Sequence, residues 1–152
     1  MKMVLLLVAL VCCGLMAGTT FAFWLLGNPA RLSYPTFIEY FPAMGRAVRG
    51  PLTVLGFSCV LSVAASTVLA WSDGPRFYVV AAAFVLCIAA SLVTTFGNVP
   101  INEQVLAWDS HAAPVDWVRT MSRWWHWHLT RFAAVTGAFG LLAVSVLRWK
   151  AA

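Results

Sequence analysis

The sequence predicts an all-α integral membrane protein: a four-helix bundle with a short interfacial helix between its first and second spans. Three observations carry that expectation. Of the 152 residues 62% are hydrophobic and only 10% charged, and the mean hydropathy of +0.85 leaves too little polar surface for an ordinary soluble domain. Four apolar stretches, residues 3–26, 52–71, 77–97 and 127–149, come close to the length of about 20 residues that a helix needs to cross a bilayer. Turn-forming residues punctuate them. The length leaves little for a soluble domain, and no internal repeat is evident, so residues 1–152 are expected to form one transmembrane domain.

The first stretch begins behind Lys2 and resembles a signal peptide, but it continues through Phe21, Phe23 and Trp24 to Gly27-Asn28-Pro29. That is longer than a cleavable apolar core of about 7–15 residues, so it reads as a retained span. Between Pro35 and Val48, Phe37, Ile38, Tyr40, Phe41 and Met44 alternate with Glu39 and Arg46. Such a segment suits a short helix lying in the interface as a lid over the bundle mouth. Pro51 opens the second span, Asp73-Gly74-Pro75 forces a tight hairpin to the third, and Gly97 with Pro100 closes or kinks the third. Small residues such as Gly14, Gly18, Ala64-Ala65-Ser66 and Ala81-Ala82-Ala83 let helix backbones approach where lipid offers no hydrophobic drive. Four spans place both termini on one side and the loops 28–50 and 98–126 together on the other.

The net charge of +5 comes from basic residues scattered near helix ends without a run, which points to lipid headgroups and not to nucleic acid. Lys2, Arg76, Arg148 and Lys150 lie on the terminal side, and Arg31, Arg46, Arg49, Arg119, Arg123 and Arg131 on the loop side. The count favours loops inside. An arginine retained for chemistry carries no topological information, however, so sidedness stays open. Cys12, Cys13, Cys59 and Cys87 all fall in apolar stretches without a C-x-x-C pair, and read as small buried hydrophobes, not as a disulfide framework or thiolate metal site.

Between Asn98 and Arg131 the chain concentrates two asparagines, two aspartates, a glutamate, three histidines, three arginines and five tryptophans. An ionisable group at bilayer depth costs about 2.5–3.5 kcal/mol on insertion scales, so such a cluster needs partners or a function. Asn98 and Asn102 share a helical face if the helix continues, and Pro100 frees a carbonyl one turn earlier. The asparagines then either cap a loosened helix end or line a site. Trp124, Trp127, His128 and Arg131 follow at offsets of three, four and seven, one stripe facing the bundle. An imidazole exchanges protons near neutral pH and an arginine a turn away can hold an anion, so His128 with Arg131 is the expected catalytic pair. The alternative is a snorkelling arginine in an aromatic belt, a reading that also covers Trp117, Trp125 and Trp149. His126 and His111 read as surface residues. His126, His128, Glu103 and Asp109 offer metal ligands, but His126 and His128 at i, i+2 do not converge on a regular helix.

The ensemble Gly14 and Gly18, Thr19 to Trp24, Pro29, Met44-Gly45-Arg46-Ala47-Val48-Arg49-Gly50-Pro51, Asn98-Val99-Pro100-Ile101-Asn102, then Trp124, Trp127, His128 and Arg131 resembles the anthrone oxygenase family. These are small four-helix membrane proteins, most of whose bacterial members form a domain of unknown function, and the resemblance spans nearly the whole chain. It implies oxidation of a tricyclic anthrone to an anthraquinone by dioxygen, in a multi-pass protein of the bacterial inner membrane. A proton removed from an activated carbon leaves a carbanion that reacts with oxygen, which calls for a base, an oxyanion partner and an aromatic cradle. On the resemblance, His128, Arg131 with Asn102, and Trp124 with Trp127 fill those roles, with Asn98, Glu103 and Arg46 expected at the substrate. The chain departs from the family pattern at Leu129. Members often read histidine or asparagine-histidine just after the second tryptophan, and a working histidine at the Leu129 position would leave the chemistry here altered or lost.

The leading expectation is therefore an oxygenase-like membrane enzyme for an apolar aromatic or quinone-type molecule, needing no cofactor on that reading, with a metal left open. The alternative is a non-catalytic membrane protein that binds a lipid or hydrophobic ligand, or a subunit of a larger assembly. Membrane lipids and a hydrophobic small molecule are the expected partners. Oligomeric state is not legible.

Overall fold

The computed structural model describes residues 2–148; Trp149 and Lys150, assigned above to the last interface, lie outside the described residues. Helix α1 spans Lys2–Leu26, α2 Tyr34–Leu69, α3 Pro75–Val93, α4 Val99–Leu106 and α5 Trp117–Leu147. A 3-10 turn at Pro29–Arg31 separates α1 from α2, and a π-helical turn at Thr94–Asn98 joins α3 to α4. Four helical segments, with α3 and α4 counted as one, are long and apolar enough to cross a membrane. The chain is a multi-pass, all-helical membrane protein.

The helices pack as a ring in which α1 touches α2, α2 touches α3, α3 touches α5, and α5 returns to α1. Each apolar surface therefore meets a neighbour on two sides and lipid on a third. This explains why Val54, Phe57, Leu61, Val68 and Val85 remain more than half exposed: in lipid such residues cost nothing. The ends of the helices are set by local chemistry. Asn28 caps the 3-10 turn by accepting from the Ala30 N–H, Gly27 and Gly74 adopt positive φ where other residues are strained, and Pro75 begins α3 where a missing N–H costs nothing.

The segment 35–48 is helical as expected, but it is continuous with the second span within a 36-residue α2. Pro42 and Pro51 lie inside that helix and do not end it. The fourth span begins at Trp117, ten residues before the expected start at Trp127, because the tryptophan-rich stretch itself is helical.

Two cores fill the ring. Toward the termini, Leu6, Ala9, Cys13, Val63, Ala83, Ala138 and Leu142 form a tight layer of mostly small side chains. Toward the loops, Tyr34, Phe37, Phe41, Ile101, Val105, Met121 and Trp124 form an aromatic cluster. The first half of α2 contributes Tyr34, Phe37 and Phe41 to it, as a continuation of the second span and not as a separate interfacial helix.

Candidate active site

Helix α5 supplies the centre of the site. Trp124, His128 and Arg131 fall at offsets of four and three, so one face carries all three inward. His128 is fully buried. The Arg131 guanidinium donates from Nη2 to His128 Nδ1 at 3.0 Å. Since a guanidinium has donors only, Nδ1 must accept, and a neutral imidazole then carries its proton on Nε2. Trp124 stacks parallel to the imidazole with centroids 5.3 Å apart and planes 2° apart. Trp125 packs at 5.4 Å, Phe23 of α1 presents its edge at 6.1 Å, and the α1 main chain at Thr20 lies against the ring.

The π turn supplies the second wall. Pro100 lacks an N–H and its ring crowds the carbonyl four residues back, so the α pattern cannot continue unaltered through it. The helix adds a residue to one turn, and the Val99 N–H reaches back to the Thr94 carbonyl. Such turns are concentrated at functional positions. Here the wider turn leaves Asn98 1% exposed, with Nδ2 donating to the Trp124 carbonyl at 3.1 Å. Asn102, one turn on, accepts from Trp124 Nε1 at 2.8 Å. The two asparagines hold the main chain and the indole of the same tryptophan, which in turn fixes the plane of His128. Phe41 closes the other side of Trp124, edge-on at 5.2 Å.

Among the described residues, four buried side-chain polar atoms have no hydrogen-bond partner: Asn98 Oδ1, His128 Nε2, Arg131 Nε and Ser145 Oγ. Three of the four belong to this site. The ion pairs of the described residues are Lys2–Asp73, Arg76–Asp73 and Arg49–Glu103, so the half-buried Arg131 faces no carboxylate. A cation at bilayer depth without a counter-charge is costly. Two donors and one uncompensated positive charge beside stacked aromatic rings suit an oxygen that becomes negative.

The remaining expected site residues lie elsewhere. Trp127 is 42% exposed and leaves the expected stripe: it precedes His128 by one residue, about 100° around the helix, and is turned toward the π turn. A Cβ on Gly97 would lie 2.6 Å from its indole Cγ and Cδ2, so the indole covers bare backbone. Arg46 is exposed on α2. Glu103 is exposed and pairs with Arg49 at 2.7 Å. His126 is exposed, its Nδ1 against the Ser122 carbonyl, and His111 lies in the loop beside Asp109; both are surface residues as read from the sequence.

A family model, anthrone oxygenase, matches residues 41–141, well over half of the chain. The chain belongs to the anthrone oxygenase family. The matched residues include the Asn98–Asn102 segment and the Trp124, His128 and Arg131 face, while the α1 motifs quoted above precede them. No curated protein matches the chain, and no solved structure does.

Sequence reasoning missed Phe23, Phe41 and the inward role of Trp125, which was read as belt. Phe41 was visible as part of an amphipathic face, but its partner Trp124 lies 83 positions away in the chain, and nothing local encodes that pairing. Sequence reasoning also missed that Cys13, Cys59 and Cys87 converge, since three residues on three helices leave no spacing signature. Among the described residues they are the group able to hold a metal; His126, His128, Glu103 and Asp109 do not come together as one.

Proposed function

We propose that this member of the anthrone oxygenase family oxidises a hydroxylated tricyclic ketone of the anthrone type to the corresponding quinone, consuming one dioxygen and releasing one water. The observation that carries the reading is the buried His128 held by the half-buried Arg131, a cation without a counter-ion among the described residues. The aromatic cluster suits a flat, apolar body reaching the site from the membrane.

The substrate's carbonyl oxygen takes up negative charge when its activated methylene loses a proton. Arg131 is the donor for that oxygen, and stabilising it makes the carbon acid stronger. In the resting arrangement Nδ1 is occupied by Arg131, so the ring is a donor and not yet a base. Movement of Arg131 from Nδ1 to the substrate oxygen frees Nδ1 to receive the proton. The carbanion then gives electrons to dioxygen, the new carbon–oxygen bond forms as a peroxide, and loss of water leaves the quinone carbonyl. Asn98 and Asn102 act through Trp124 as positioning residues.

The test is dioxygen uptake by the protein in lipid nanodiscs with an anthrone supplied. Wild-type protein is expected to consume one dioxygen per quinone formed. His128→Gln keeps an amide donor but offers no base, and is expected to lose turnover by about 100-fold or more while retaining helicity. Unchanged turnover would remove His128 from the chemistry, and no uptake by the wild type would favour a non-catalytic ligand-binding role.

A further inference from the structure

One cluster of reactive side chains is left unused by the site above. Cys13 of α1, Cys59 of α2 and Cys87 of α3 bring their three Sγ atoms within 4.8 Å of one another. The three residues are 0%, 5% and 5% exposed. Among the described residues all three are free thiols, enclosed by Val63, Ala83 and Ala138. The fourth helix contributes its main chain: the Cys13 thiol donates to the Val135 carbonyl at 3.7 Å. Val135 is seven residues beyond His128 on α5, about 10.5 Å at the helical rise of 1.5 Å per residue, so the thiols form a separate centre two turns deeper.

We propose that Cys13, Cys59 and Cys87 form a trigonal, all-sulfur binding site for a soft monovalent metal ion of the copper(I) type, tying α1, α2 and α3 together. Metal–sulfur bonds of about 2.3 Å place three sulfurs in a plane roughly 4.0 Å apart, so the thiols need shift by less than an ångström. The donor set selects the ion. Three sulfurs without imidazole or carboxylate favour soft metals; structural zinc takes four ligands, and iron–sulfur clusters are held by four cysteines. Binding replaces thiol protons by the metal ion, and those protons leave to solvent.

The test supplies copper(I) alone, anaerobically, to the full chain in nanodiscs, followed by competition with a copper(I) chelator and X-ray absorption of the retained metal. One copper per chain, with a first shell of sulfur only, is expected. Cys13→Ser, Cys59→Ser and Cys87→Ser are each expected to lower retention at least tenfold, and Cys12→Ser, beside the cluster, to leave it unchanged. Helicity by circular dichroism accompanies each variant, and alanine replaces serine wherever a buried hydroxyl prevents folding. No retained copper, a shell containing nitrogen or oxygen, or retention indifferent to the three substitutions would overturn the proposal.

Discussion

The two halves of the bundle differ in how many buried polar atoms they leave without a partner among the described residues. Toward the termini, Ser62, Ser66 and Thr67 each turn a hydroxyl back to a carbonyl three or four residues earlier, the side chains are small, and Ser145 Oγ is the one polar atom there without a partner among the described residues. Toward the loops, the helix carries its extra residue, and Asn98 Oδ1, His128 Nε2 and Arg131 Nε have no partner among the described residues. The first half follows the rule for protein in lipid, where buried polar groups find partners within their own helix. The second departs from it. Unfulfilled hydrogen-bonding capacity gathered at one place in a membrane protein marks where a ligand completes it.

Substitutions sharpen the contrast. In the terminal half Leu142 is fully buried, and Leu142→Ala is expected to cost about 2–5 kcal/mol of stability through the cavity it leaves, while dioxygen uptake per folded protein is unaffected. Unfolding in mixed micelles with sodium dodecyl sulfate, run beside the uptake assay, measures both. A loss of turnover in that folded variant would mean that the halves are coupled.

In the loop half Gly97→Ala forces a methyl to within 2.6 Å of the Trp127 indole, with an expected cost of about 1–3 kcal/mol for overpacking. Trp127→Ala in the same chain should recover most of that loss. Non-additivity in the resulting double-mutant cycle is the readout, and simple additivity would refute the claim that the indole needs bare backbone beneath it.

The smallest effects belong to the exposed ion pairs. Arg49→Ala breaks a contact whose side chains are 66% and 50% exposed, and less than about 1 kcal/mol is expected from it. At the opposite end, the hydrogen bond from Lys2, with Arg76 nearby, holds the Asp73 carboxyl below the usual carboxylate range. A depressed carboxylate stabilises the fold above its unfolded pKa, and that contribution fades as pH falls through the folded value. An acid titration of Asp73→Asn should therefore lack a small loss that the wild type shows below the ordinary carboxylate range.

The sequence was most legible where lipid imposes a simple rule. Four long apolar runs, the Asp73-Gly74-Pro75 hairpin and the shared face of the two loops follow from hydropathy and turn chemistry, and the structure contains them. Continuity of α2 through Pro42 and Pro51 was not legible, because proline only disfavours a helix and packing of Phe37 and Phe41 against Trp124 and its neighbours overrides that cost. The offsets of Trp124, His128 and Arg131 were enough to place those three on one face, yet the same counting put Trp127 there too. Only the contact with Gly97 shows which way the helix is rotated. Arg46 and Glu103 were expected at the substrate, but a motif does not distinguish an inward side chain from an exposed one. The meeting of three cysteines depends on helix registry, which no single helix carries.

The account rests on the claim that a ligand's oxygen completes the His128–Arg131 pair while a ligand hydroxyl donates to Asn98 Oδ1. Thermal unfolding of the protein in nanodiscs, with and without a hydroxylated anthraquinone as the bound probe, tests it most directly, alongside Arg131→Met. The wild type should gain stability with probe concentration, by about 2.7 kcal/mol at one hundred times the dissociation constant, whereas Arg131→Met should be no less stable alone and should gain nothing from the probe. Equal stabilisation of both proteins, or none of either, would contradict it.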